Sequence, residues 1–458
     1  MLSINNVLRN NIIIKLLIVI FLSYVLGAVF VSSTIGQIFV LVILFFSLLL
    51  VKTFSSSYDS IITIILIAVF FIPFSYFPFL NIFNVLNPVV LLGIVLASKV
   101  FYEKFIIKKQ VLFQSDPIDY LYLAFIISAL ISTLFAISKL GALNWVFYSY
   151  ITGFLIYKVL TNLKTEQIVK IVKLIVIIAT LCSFYGIVEF LLFRRSLFLP
   201  EIRVGTGRLT SCLGHPLLNG IIYTSIWPLS YICYLQTKKR IYILTSFILI
   251  VAILLTFSRG SWLAGLIGLF FLFSFLNFRY KLRSLLAFLI LGLIFSVISP
   301  LRQEVRDRIF QSERKSFSSW NIRIKSIPIA FQIVKERPFF GGGPFNASRY
   351  KDRFAPEFEL RKTSFENSYL GLLVDLGFVG LSIFIAIVIF VLWKCLLILC
   401  AGKSSPYYFY RVGSFVSLII LLVNMATFNF DSYRLFHFFL WFYLGLNIGL
   451  TKDYKNEN

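Results

Sequence analysis

"LLTFSRGSWLAG", Leu254 to Gly265, puts a single arginine, Arg259, at the junction of two of the most apolar stretches of the chain. A guanidinium stays charged at every physiological pH, so a cation on so tight a hinge between membrane-length segments needs a partner. Outward from the hinge the apolar character continues in both directions. The chain is 59% hydrophobic and 14% charged, and its mean hydropathy is +0.92. Such a composition cannot fold around a water-facing surface. Apolar runs of roughly 17 to 25 residues, enough to cross ~30 Å of hydrocarbon as helix, recur from Ile12 almost to the end. Their apolarity is continuous and not alternating, which excludes a strand barrel. The expected fold is an all-α polytopic membrane protein.

Spans are expected near residues 12–31, 36–51, 60–77, 84–101, 118–138, 143–160, 170–193, 216–235, 241–257, 260–277, 284–299, 374–398, 411–428 and 434–451, about fourteen helices in one transmembrane domain, 1–458. The first has no small-residue cleavage site after it and leads into a second span, so it reads as an uncleaved anchor. With the N-terminus in the cytoplasm, the short basic loops around Lys99–Lys109, Lys158–Lys173, Lys238–Arg240 and Arg279–Arg283 all fall inside. The opposite short loops near 32–35 and 78–83 carry no basic residue. Both termini are then cytoplasmic, and the stretch Pro300–Glu366 between the eleventh and twelfth helices is a long extracytoplasmic loop. Long loops translocate largely regardless of charge, so its fourteen basic residues are compatible with that side.

Lysine and arginine divide between the two sides. The cytoplasmic side holds seventeen lysines and five arginines, the outer side six lysines and fifteen arginines. Lysine suffices for topology and for anionic headgroups. Arginine adds a planar fork of donors matched to phosphate and carboxylate oxygens, so the outer face looks built to hold anions. Any single outer arginine can instead snorkel to a lipid phosphate.

Several chemistries find no support. The five cysteines have no disulfide or zinc spacing, and two histidines, His215 and His437, are too few for a metal cage. "FGGGPFN", Phe340–Asn346, lacks the Lys and Ser/Thr of a phosphate loop, and its glycines read as a tight turn after a helix. No metal and no cofactor are expected.

Polar chemistry concentrates in three outer segments: "RVGTGRLTSCLGHPLLNG" (Arg203–Gly220), the Arg259 hinge, and "TSFENSYLGLLVDLGFVGL" (Thr363–Leu381). In the last, Glu366 and Asn367 precede an apolar helix, where a carboxylate also serves as a cap. The order of these segments, with "NIRIKSIPIAFQIVKERPFFGGGPFN" between the second and third, resembles the O-antigen ligase and Wzy-type polysaccharide polymerase superfamily over roughly residues 170–450.

That resemblance implies a membrane glycosyltransferase of the GT-C type in the bacterial cytoplasmic membrane. Its donor is a glycan on undecaprenyl pyrophosphate, and it works at the outer face without nucleotide sugar or metal. It implies that Arg208 and Arg259 hold the pyrophosphate, with Arg323 a third candidate and Arg203, His215, Asn367 and Tyr369 as further substrate-binding candidates. Where ligases carry a histidine before the asparagine, this chain has Glu366, as many polymerase-like members have an acidic residue. The tryptophan common four residues after the loop arginine is Ile327 here.

Glycosyl transfer from a pyrophosphate needs charge stabilised on the leaving phosphate, a proton removed from the acceptor hydroxyl, and water excluded. Arg208 and Arg259 suit the first need and Glu366 the second, with His215 a rival base. The amphipathic segment Trp320–Val334 could cover the site as a lid. The expected activity is polymerisation of lipid-linked oligosaccharide repeats into surface polysaccharide, with a glycan acceptor, membrane lipids and a chain-length regulator as partners and no nucleic acid. A ligase or protein-glycan transferase with the same donor is the nearest alternative, and a lipid-linked oligosaccharide flippase the alternative from another class. Glu189 and Asp375 stand out as charges inside spans.

Overall fold

A computed structural model describes residues 116–193, 208–211, 213, 215–281, 319–347, 349–350, 365–401, 405–429 and 434–452. Regular structure among them is helical, with no strand. In chain order the helices are α1 (Pro117–Thr133), α2 (Lys139–Trp145), a π-helical stretch (Val146–Ile151) continuing into α3 (Thr152–Asn162), and α4 (Thr165–Phe193). There follow α5 (Pro216–Thr237), α6 (Ile241–Leu255), α7 (Arg259–Phe275), α8 (Ser319–Glu336), α9 (Ser368–Ala401), α10 (Tyr408–Thr427) and α11 (Arg434–Thr451). Nine of the fourteen expected spans coincide with these elements, the one at 143–160 taking in α2, the π turn and α3. Those at 12–31, 36–51, 60–77, 84–101 and 284–299 lie outside the described residues. Three helices, at Thr165–Leu192, Ser368–Ala401 and Tyr408–Thr427, are long and apolar enough to cross a membrane by length and composition. α1, α6, α7 and Leu435–Thr451 are shorter apolar helices.

Local chemistry fixes the helix starts. Asp116 caps α1 by accepting from Ile118 N at 3.2 Å, with Pro117 in the first turn, where its missing N–H costs nothing. His215 caps α5 in the same way, its Nδ1 accepting from Leu217 N at 3.2 Å ahead of Pro216. α5 ends at Lys238 in the left-handed region, and the chain turns directly into α6.

Connectivity separates the bundle into two ends. At one end Lys394 of α9 pairs with Asp116 at 3.0 Å, Lys158 of α3 pairs with Asp119 of α1, and Lys238 donates to the Tyr280 hydroxyl at 2.9 Å. Arg411, buried at the start of α10, donates to Leu450 O at 2.7 Å at the end of α11. We refer to this as the lysine end. The opposite, arginine end gathers the starts of α5, α7 and α9 and the finish of α10. Asp119 and Lys158 are both buried, so they join Glu189 and Asp375 as charges within the helix bundle. Sequence alone places Lys158 in a loop because it stands next to the polar run that ends α3.

α9 is broken at Gly377, whose φ of 67° and ψ of −169° interrupt the helix. The glycine turn following α8 docks into this break. Gly342 N donates to Val374 O at 2.8 Å and Gly343 N to Asp375 O at 2.9 Å, while Phe378 N and Val379 N donate back to Pro338 O and Phe339 O at 2.8 and 3.1 Å. Side chains on either backbone would collide, because a Cβ on Gly377 would lie 2.4 Å from Phe339 O. The Asp375 carboxylate accepts from Phe345 N at 2.8 Å and Asn346 N at 3.2 Å, which satisfies a buried charge with backbone donors. "FGGGPFN" is therefore a strap across a discontinuous helix, a break tolerated where protein rather than lipid surrounds it.

α8 buries one face, but its outer face mixes apolar with charged residues and is not the polar stripe expected of an amphipathic helix. Ile329, Ala330, Ile333 and Val334 pack with Tyr350, Phe365, Leu373 and Val374, while Ile324, Ile327 and Phe331 face outward. Held by the strap at its finish, α8 lies against the first half of α9 at the arginine end.

Candidate functional site

The hinge between α6 and α7 is three residues long, Thr256 to Ser258. Phe257 adopts φ 49°, a left-handed conformation that costs a bulky residue about 1–3 kcal/mol and persists only where surroundings enforce it. Ser258 caps α7, its Oγ accepting from Ser261 N at 3.5 Å and from Ser261 Oγ at 3.0 Å. Trp262 Nε1 reaches back to Ile253 O at 3.2 Å. The turn is thus closed by its own serines and tryptophan, and Arg259, the first residue of α7, is left exposed. A cation at a helix N-terminus opposes the macrodipole, so the local potential is positive.

Arg208 lies on the same turn. Its Nε donates to Thr256 O at 2.8 Å and its Nη2 to Phe257 O at 3.5 Å. These bonds satisfy carbonyls that the end of α6 leaves without an intrahelical donor. The segment carrying Arg208 is pinned on both flanks. Leu209 N donates to Leu255 O at 2.9 Å, and Thr210 Oγ1 donates to Glu189 Oε2 at 3.3 Å. Tyr185 OH holds the other Glu189 oxygen at 2.9 Å. Glu189 is therefore engaged from α4 in fixing the Arg208 segment. Asn219 of α5 adds a bond to the Thr210 carbonyl.

α8 delivers Arg323 to the same end. Its Nη2 donates to Glu366 Oε2 at 3.2 Å and to Thr427 O at 2.9 Å. Its Nε is buried and makes no hydrogen bond among the described residues. Capping of α9 falls to Asn367, whose Oδ1 accepts from Tyr369 N at 2.9 Å and Leu370 N at 3.2 Å. Glu366 is accordingly spared that duty and faces Arg323.

The last residues of α10 join these parts, and sequence reasoning misses them. Thr427 gives its carbonyl to Arg323 and its side chain packs against Gly260, beside Arg259; a Cβ there would lie 2.5 Å from Thr427 Oγ1. Phe428 O accepts from Ser368 Oγ at 2.6 Å, and the Phe428 ring lies 6.4 Å from that of His215. Neither residue signals a site in sequence, because each acts through a backbone carbonyl or through packing.

Other expected residues point elsewhere. Tyr369 OH is committed to Leu422 O at 2.9 Å within the bundle. His215 Nδ1 is the α5 cap, accepting from Leu217 N at 3.2 Å. Arg203 lies outside the described residues. His437 is buried, edge-on to Trp145 and Tyr150 at 5.5 Å each. Among the described residues no three His, Cys, Asp or Glu side chains are grouped to hold a metal ion.

Arg323 and Glu366 thus meet at the end of α10, the turn that holds Arg208 leads into Arg259, and Gly260 beside it packs on Thr427 of the same helix end. This arrangement can hold a polyanion and, beside it, accept a proton.

Residues 244–385 match the model of a family described as O-antigen ligase. The matched span runs from α6 through the hinge, Arg259, α8, Arg323, the strap and Glu366 into α9, and it agrees with the superfamily resemblance drawn from the motifs. Arg208 and His215 precede it. No curated protein matches the chain.

Proposed function

We propose that this protein is a polysaccharide polymerase of the O-antigen ligase and Wzy-type superfamily. In this reading it joins undecaprenyl-pyrophosphate-linked repeat units into surface polysaccharide at the outer face of the cytoplasmic membrane, within a bundle of about fourteen spans and with both termini inside. The observation that supports it is the chain of contacts at one end of the bundle: Arg208 on the turn before Arg259, Gly260 on Thr427, and Thr427 O with Glu366 on Arg323. The arginine end is the outer face in the topology that lysine and arginine distribution supports.

In the reaction the acceptor hydroxyl oxygen attacks the anomeric carbon of the donor. The bond from that carbon to the diphosphate oxygen breaks, and undecaprenyl diphosphate leaves. Arg208 and Arg259 stabilise the charge that grows on the leaving oxygen, an electrostatic role that a low-dielectric site amplifies. Glu366 takes the hydroxyl proton. Arg203 extends the anion site. Carbonyls of the α6–α7 turn aim the Arg208 fork before substrate arrives, which reduces reorganisation during reaction.

Glu366 in place of the histidine of ligases supports polymerisation over ligation. The family description favours the second reading, a ligase with the same donor and a different acceptor. Lipid-linked glycans accumulating after deletion decide between them. Single repeat units on the carrier are the expected result, and long chains stranded on the carrier would instead mean a ligase. Accumulation confined to the inner leaflet would mean a flippase.

A further inference from the structure

The proposed base is occupied. Glu366 Oε2 already accepts from Arg323 at 3.2 Å, and a carboxylate held by a guanidinium is a weaker base than a free one. Two further observations bear on this pairing. First, the side chains of Arg323 and Glu366 are 28% and 26% exposed, and a solvent-touched ion pair of this kind is weak and readily exchanged. Second, Arg323 is only partly satisfied where it stands. Its Nε is buried without a hydrogen-bond partner among the described residues, a costly state for a donor. Meanwhile its Nη2 is anchored to Thr427 O, the residue that packs on Gly260 next to Arg259. The guanidinium therefore stands between the carboxylate and the Arg259 hinge, holding one and lacking an acceptor for Nε.

We infer that Arg323 is a shared guanidinium that holds Glu366 while the donor is absent and passes to the donor's diphosphate when it binds, releasing Glu366 to take the acceptor's proton. This rests on the diphosphate reading above. A diphosphate offers several anionic oxygens to the Arg323 fork, including one for Nε, and charge-assisted pairs of this type outlast a surface ion pair. The exchange makes the base available only when a lipid donor is seated, so order of binding, donor before acceptor, is set by one side chain. It also gives α8 a role, because the helix that carries Arg323 senses the donor.

The test is equilibrium binding of undecaprenyl diphosphate to the purified full chain in lipid nanodiscs, for the wild type, Glu366→Gln, Arg323→Gln and the double variant. If the carboxylate competes with the diphosphate for Arg323, Glu366→Gln binds about two- to fivefold tighter, the equivalent of one exposed ion pair. Arg323→Gln binds about tenfold weaker or more, and adding Glu366→Gln to it changes nothing. A structural ion pair that merely orients Arg323 gives the opposite sign, weaker binding in Glu366→Gln. That result, unchanged affinity, or tightening that persists without Arg323 overturns this inference and leaves the diphosphate reading standing. Absence of saturable binding by the wild type overturns both. Glu366→Ala, which removes the carboxylate without an amide, must reproduce the sign.

Discussion

The two ends of the bundle handle charge in different ways. At the lysine end two lysines meet carboxylates, Lys394 with Asp116 and Lys158 with Asp119 in the interior, while Arg411 there is held by Leu450 O. At the arginine end the guanidinium of Arg208 is held by the carbonyls of Thr256 and Phe257, and that of Arg323 partly by Thr427 O. A carboxylate cancels a charge, whereas a carbonyl orients a guanidinium and leaves its charge in place. The first arrangement ties helices together, and the second, in the function proposed above, orients guanidinium groups toward an anionic donor. Glu366, paired with Arg323 at 3.2 Å, is the carboxylate that crosses the distinction.

Changes at the arginine end are expected to cost activity, and those at the lysine end stability. The largest effect is expected from Glu366→Gln, a loss of about 10²- to 10⁴-fold in transfer rate with normal membrane levels, read with lipid-linked repeat units and purified protein. Full activity there would remove the proposed base. Arg259→Lys keeps charge and loses the fork, and is expected to lower chain extension about 10²- to 10³-fold while insertion is unchanged. An unaltered polymer length distribution would exclude Arg259 from the mechanism.

Lys158→Met leaves Asp119 buried without its cation, for an expected loss of about 3–5 kcal/mol of stability, measured by thermal unfolding in detergent. Protein that remains folded should turn over at the wild-type rate, and a slowed rate would join the two ends functionally. Gly260→Ala presses a methyl on Thr427 and is expected to slow transfer about tenfold by shifting the hinge by a fraction of an ångström. Adding Thr427→Ala, which removes the colliding hydroxyl but keeps the carbonyl, should restore most of the rate. Smallest of all, Lys394→Met is expected to change stability by about 1 kcal/mol or less, since this pair touches solvent.

Much of the helical order is legible in sequence because apolar length, proline at the first turn and loop charge each act locally. The helical segment carrying Arg323 and the turn at Gly341–Gly343 are read from the same local chemistry. Sequence does not disclose what the glycine turn docks into, since the break at Gly377 is filled by residues some 35 positions earlier. Nor does it reveal the Asp119–Lys158 pair, whose members lie on different helices. At the site, arginine and glutamate types are visible, but the division of labour between Glu366 and Asn367 is not. Either could cap α9, and only backbone geometry assigns that duty to Asn367. Thr427 and Phe428 are illegible for the same reason.

The contrast between the ends is tested most directly with a polyprenyl diphosphate carrying a photoreactive group beside its phosphates. After irradiation with the full chain in proteoliposomes, the labelled peptides are mapped. Labels are expected on the segments holding Arg208, Arg259 and Arg323, and are expected to be lost in Arg208→Lys and Arg259→Lys. Labelling centred on Lys158, Lys238 and Lys394 instead would contradict the account.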